Sequence, residues 1–178
     1  MINYRIEPHE GLAQRVGELL SMLDYTRRVT LKDVENLTIE ELDYVPEHGS
    51  NSIGALLLHM ATVERVHQII TTEHRDITTE EEEFFEPALS LGEKAREKIK
   101  QQPIEFYLKA LDEARQATIR KLEHETDEWL LKEDVWDNGV THNYYFIWFH
   151  VMEDEISHRG QIRLIKRMMK QSVAKASR

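Results

Sequence analysis

The fold of this chain is restricted most by the length of its unbroken helical periodicities. Only seven glycines and four prolines punctuate 178 residues, and between them apolar side chains recur at three- and four-residue steps, the spacing that lines one face of a helix. The first such stretch follows Pro8 and His9, with Leu12, Val16, Leu19, Leu20 and Leu23 on one face, and ends near Arg28 or continues through LKDVENL. TIEELDYVPEHGS then reads as a short helical turn and a loop closed by Pro46 and Gly49.

A second helix is capped by Ser50, Asn51 or Ser52 and buries Ile53, Leu56, Leu57, Met60, Val63 and Ile70. Residues 75 to 102 contain an acidic run, Pro87 and Gly92, and are expected to form a long crossover with one short helix. The third helix starts near Pro103, with Phe106, Leu108, Leu111, Ala114, Ile119 and Leu122 available to a core. WLLKEDVWDNGV is a connection, and a fourth helix runs from about His142 to Lys170. Alternating runs of strand type are hard to find. Four long helices with a long crossover between the second and third make an all-α four-helix bundle, expected to be one domain over residues 1–178.

Composition narrows the function. A formal net charge of −10 argues against nucleic acid, whose phosphates a binding face must neutralise. Cysteine is absent, so a transition metal would need histidine and carboxylate ligands. Neither a secretory leader nor an apolar run of about 18 residues is visible, so a cytoplasmic location and no membrane partner are expected.

In such a bundle, chemistry is built from polar side chains on apolar stripes. His59 lies inside LLLHMA, where each imidazole nitrogen needs a partner; by itself it fits a core histidine bonded to a carbonyl. HVMEDEISHRGQIR changes that reading, because Asp154 and His158 are one helical turn apart and can grip one ion together. With His59 from a facing helix they would form an N,N,O set with a fourth position open. His150 and Asp154 share the same spacing. Yet His150 to His158 spans about 12 Å of helix while ligand bonds are about 2 Å, so one ion cannot readily take both. His150 is assigned to orienting a ligand, lining the substrate cavity or packing.

The remaining candidates have blander readings. Glu153 and Glu155 are expected to be solvated or interhelical charges, and EEEE at 80–83 a solvated loop. Gly54 and Gly160 are expected where helices approach closely, and Arg159 and Gln161 to bond across helices near the site. His67, His74, His124 and His142 lack a comparable pairing and are assigned to the surface or loops, although His142 and Tyr145 could face a pocket.

At these residues the chain resembles the DinB-like superfamily, the DinB/YfiT-type metalloenzymes. NSIGALLLHMATVERVH is similar to the family's second-helix segment with its single histidine, and HVMEDEISHRGQIRLIKR to its fourth-helix segment ending in His-Arg-Gly-Gln. The resemblance implies an up-down-down-up bundle, usually a homodimer, with a divalent metal held by one residue of the second helix and two of the fourth. It matches His59 and His158 to family histidines, and places Asp154 where many members have histidine and some a carboxylate. A set of two histidines and one carboxylate binds zinc and also suits nickel, manganese or iron.

The resemblance also implies use of a low-molecular-weight thiol as cosubstrate. A thiol S-transferase, or a thiol-dependent isomerase, acting on a small electrophilic molecule is therefore the leading expectation. A hydrolase using metal-bound water and a non-catalytic, metal-stabilised bundle with a stress-related role are the alternatives.

Overall fold

The computed structural model describes residues 3–46, 50–136 and 138–176, so Gly49 of the expected loop lies outside the described residues. Helix α1 spans Gln14–Asp33; the first periodicity thus continues past Arg28. Thr38 caps the short α2, Ile39–Asp43, with a reciprocal bond to Glu41. Ser52 caps α3, Ile53–Gln68, its hydroxyl accepting from the Ala55 amide at 3.2 Å. A π-helical turn over Ile69–Glu73 extends α3.

Residues 75–102 depart from expectation: they form two helices, α4 over Thr79–Ser90 and α5 over Gly92–Lys98. The acidic run is the first turns of α4, where a Thr78–Glu81 capping box and the helix dipole favour carboxylates. Pro87 lies within α4 instead of ending it. Pro103 is the N-cap of α6, Ile104–Leu122, and α7 is a single turn, Asp127–Leu130. The connection thought free of strands holds a small hairpin, β1 (Glu133–Val135) against β2 (Thr141–Asn143), antiparallel with Asp134 opposite His142. Helix α8 then runs Tyr144–Ala176. Among the described residues no helix is long and apolar enough to cross a membrane.

Side-chain pairs fix the directions of the four long helices. Thr26 and Asp33 of α1 meet Arg159 and Arg163 of α8, so these two run parallel. Gly54 and Gln68 of α3 meet Tyr107 and Thr118 of α6, again parallel. His59 of α3 and His74, just past its π-helical extension, meet Asp154 and Tyr144 of α8, antiparallel. The bundle is therefore up-down-down-up. Because α3 and α6 point the same way, the chain must travel back along the bundle between them. Helix α4 does this beside α3, with Ala88 at His59 and Gly92 at Asn51.

Two apolar clusters form the core. One gathers Leu56, Leu57, Met60, Tyr107, Leu111 and Ile162; the other gathers Leu19, Leu20, Leu23, Leu122, Trp129 and Trp148. Each such side chain contributes roughly 2 kcal/mol by leaving water. In α6 Leu111, Ala114 and Leu122 are buried as expected, but Phe106 is 42% exposed and Tyr107 beside it fills the core instead. Tyr107 explains Gly54, since a Cβ there would come within 2.6 Å of the Tyr107 hydroxyl. Gly160 is not a close-approach position within this chain, as a Cβ there would meet nothing within 4 Å.

Candidate metal centre

Between the two apolar clusters lies a polar layer, and His59, Asp154 and His158 occupy its α3–α8 side. His59 is 8% exposed. Its Nδ1 is 2.8 Å from the Ala88 carbonyl; a carbonyl only accepts, so Nδ1 carries the hydrogen and a neutral ring presents a bare lone pair at Nε2. That Nε2 stands 3.3 Å from Asp154 Oδ1, and His158 Nε2 stands 3.2 Å from the same oxygen. The rings of His59 and His158 meet edge to face, 4.7 Å between centroids.

Opposing an imidazole lone pair to a carboxylate oxygen is unfavourable unless a proton or cation lies between them. Electrostatics shows the same demand. Burial works against the charge on Asp154, but hydrogen bonds from His158 and His59, and their charges, outweigh it and hold the carboxyl well below the usual range. Burial also disfavours charge on His59, yet Asp154 and the backbone carbonyls raise its basicity above the ordinary value. Asp154 Oδ2 and His158 Nδ1 are buried without a hydrogen-bond partner among the described residues.

The donor set can be tested against a metal. One atom from each residue lies within 4.8 Å of the others. Two ligands at about 2.1 Å from an ion in tetrahedral directions are about 3.4 Å apart, close to the 3.2 and 3.3 Å separations seen. The residues fit the group.

His150 stays outside this cluster. Its side chain is 45% exposed, with Nδ1 3.4 Å from Glu153, and its ring lies 5.6 Å from that of His67. His67, assigned to the surface, is instead packed between α3 and α8. Its Nδ1 donates to the Val63 carbonyl at 2.6 Å, and burial pushes the imidazole down to about 4, so the ring is neutral at pH 7. His142 is also buried, stacked on Trp136 at 4.2 Å, whereas His74 is exposed and bonds the Tyr144 hydroxyl, and His124 is exposed. Arg159 does bond across helices, to the Thr26 carbonyl; Gln161 and Ser157 face outward.

The sequence reading missed the other half of the polar layer. The Arg27 guanidinium donates from Nε to Glu155 at 3.1 Å, from Nη1 to the Leu111 carbonyl at 2.7 Å and from Nη2 to Glu64 at 2.8 Å. Arg115 grips Glu64 at 2.8 Å and Asp24 at 3.0 Å, and the Thr118 hydroxyl donates to Glu64 at 2.6 Å. Glu64 has no exposed surface. Burial raises its pKa, but Arg115 and Arg27 outweigh that and bring it down to about 2. One guanidinium thus ties α3 to α8 a short way from the residues those helices bring together. A signal existed: Arg27 falls on the Leu23–Thr30–Val34 stripe of α1 and Arg115 on the Leu111–Thr118–Leu122 stripe of α6.

A cavity of about 870 Å³ opens on the α1–α6 side and touches Arg27 and Arg115, but neither His59, Asp154 nor His158 lines it.

Comparison with known proteins adds three findings. The family model described as mycothiol-S-transferase matches residues 18–171. No curated protein matches the chain. A crystal structure of a conserved protein from Enterococcus faecalis resembles it with a TM-score of 0.64 at 20% identity, covering 84% of this chain and 94% of that one; at that identity the likeness speaks for the fold.

Proposed function

This chain belongs to the mycothiol-S-transferase family of DinB-like proteins, and from that premise we propose that it joins the sulfur of a low-molecular-weight thiol to a small electrophilic molecule at a metal centre of His59, Asp154 and His158. The observation that carries the metal centre is the convergence of the Nε2 atoms of His59 and His158 on one oxygen of an ionised Asp154. Two nitrogens and one carboxylate oxygen suit zinc first, then nickel, manganese or iron. A divalent cation held by these three residues would supply positive charge that favours thiolate over thiol at neutral pH.

The chain's own groups do the rest. The Ala88 carbonyl fixes the tautomer of His59 and aims Nε2. Asp154 balances part of the positive charge. Arg27, by holding Glu64 and Glu155 at once, keeps α3 and α8 in the register that lets the three side chains meet. His150 stays out of the ligand set, being half exposed and paired with Glu153.

In the reaction the thiol gives up its proton to solvent, the sulfur's electron pair forms a bond to the electrophilic carbon, and the leaving group departs with the pair of the broken bond. The family's name points to mycothiol as the thiol. A single cytoplasmic domain fits this reading, since free thiols are kept reduced there.

Metal analysis of the protein purified without added metal, beside His59→Ala and His158→Ala, tests the centre. Both variants are expected to lose the metal, and unchanged content in both would sink the site. Turnover of a generic electrophile with mycothiol and other cellular thiols tests the chemistry; metal-loaded protein inactive with every thiol rejects the transferase reading.

A further inference from the structure

The β1–β2 hairpin holds a histidine whose hydrogen bonds the described chain leaves unmade. His142 is only 9% exposed, and both its ring nitrogens are buried without a hydrogen-bond partner among the described residues. Folding alone does not account for such a pair, since buried polar atoms are normally satisfied. His142 stands opposite Asp134, so the two share a face of the hairpin, and Trp136, two residues beyond Asp134, shares it as well. The Trp136 ring lies on that of His142 at 4.2 Å and 17° and is itself 41% exposed. Two cavities of about 430 and 420 Å³ both border on Trp136 and His142, and Ile70, Asp76, Asp134 and Asn138 help to line the second.

Two rows of side chains connect this hairpin with the metal centre. Along α8, His158, Asp154, His150 and Phe146 recur at four-residue steps, the spacing that stacks side chains one turn above another. The Phe146 ring is parallel to that of His150 at 6.4 Å and meets Trp136 edge to face at 5.8 Å. Along α3 and its π-helical extension, His59, His67 and Ile70 lead the same way, because α3 and α8 are antiparallel, and Ile70 borders the second cavity. Eight residues separate Asp154 from Phe146, about 12 Å of helix.

The chemistry of the hairpin selects what it can hold. An imidazole with both nitrogens free calls for an acceptor at one and a donor at the other. Asp76 and Asp134 call for donors and repel anions. Trp136 offers a flat apolar surface. Hydroxyl groups on a saturated ring meet all three demands, since each both donates and accepts while the C–H face of the ring rests on the indole. A phosphate or carboxylate meets none but the first. We propose that the hairpin seats a hydroxyl-rich ring of the thiol cosubstrate, on Trp136 and against His142 and Asp134, while the sulfur of the same molecule lies at the metal centre.

This placement rests on the transferase reading, and the tests separate the two. One probe is N-acetylcysteine joined by an amide to glucosamine; the other is N-acetylcysteine methylamide, which has the same thiol and no ring. In turnover of one electrophile by the metal-loaded full chain, the ring-bearing thiol is expected to show a kcat/KM about tenfold or more above the ringless one. Trp136→Ala and His142→Phe are each expected to shrink that preference to about twofold or less, through KM for the thiol. His142→Phe keeps an aromatic ring against Trp136, and circular dichroism checks that both variants fold. Titration calorimetry with the S-methylated ring compound, which cannot react, is expected to show binding that both variants weaken. Equal kcat/KM for the two thiols, or a preference that both variants leave intact, overturns the placement while the transferase reading stands. A rise in KM for the electrophile instead of the thiol overturns it too. Binding of the S-methylated compound by a metal-loaded protein that turns over no thiol overturns the transferase reading, and with it the assignment of the ring to a cosubstrate.

Discussion

Two polar clusters share the layer between the apolar halves of the bundle, and they are finished to different degrees. In the Arg27–Glu64–Arg115–Glu155 cluster, each carboxylate of Glu64 and Glu155 meets a guanidinium, and Thr118 adds a hydroxyl to Glu64. In the His59–Asp154–His158 cluster, two imidazoles crowd one carboxylate oxygen while Asp154 Oδ2 and His158 Nδ1 have no partner among the described residues. Buried polar groups are normally satisfied. A cluster that the protein completes by itself is an anchor; the one left incomplete in the same surroundings is compatible with a metal ion.

The sharpest way to break that comparison is Glu64→Ala. It leaves two buried arginines without their main partner and is expected to lower stability by about 3–5 kcal/mol, read from urea unfolding; a loss under about 1 kcal/mol would mean the layer is not an anchor. Acid probes the same group. Its folded pKa of about 2 lies below the ordinary 4.5, so ionised Glu64 contributes fully above pH 4.5. That contribution is lost as pH falls from 4.5 through about 2, and a flat stability curve there would contradict it.

His59→Ala and His158→Ala are expected to act the other way round. Metal affinity, by competition with a chelator, falls about 100-fold or more, while unfolding of the metal-free protein changes little. Large destabilisation without metal would place the histidines with the anchor. Thr118→Val removes one hydroxyl from a charged acceptor and is expected to cost about 1.5–3 kcal/mol by thermal unfolding, with metal content unaltered. The smallest effect is assigned to His150→Ala: a few-fold change in KM with metal retained, whereas loss of metal would return His150 to the ligand set.

Much of this was legible in the residues. The four long periodicities marked the bundle, and the wide gap between the second and third foretold the return along α3. Helix geometry limited one ion to one adjacent pair, and the resemblance at His-Arg-Gly-Gln selected Asp154 with His158 over His150. The crossover was misjudged because the acidic run, Pro87 and Gly92 were read together as a connection, whereas the Thr78–Glu81 capping box starts a helix that carries Pro87 within it. The buried charges were missed because arginine and glutamate are exposed far more often than not. Only their place on apolar stripes betrayed Arg27 and Arg115.

What the sequence determined by itself is local: helical spacing, the cap at the start of α3, and the one-turn step from Asp154 to His158. Each follows from the fixed repeat of one helix. That the His59 Nδ1 is committed to Ala88, that Arg27 spans Glu64 and Glu155, and that Tyr107 displaces Phe106 from the core were decided by tertiary structure. Those facts depend on how helices rotate and slide against one another, and that is set by the packing of all of them at once.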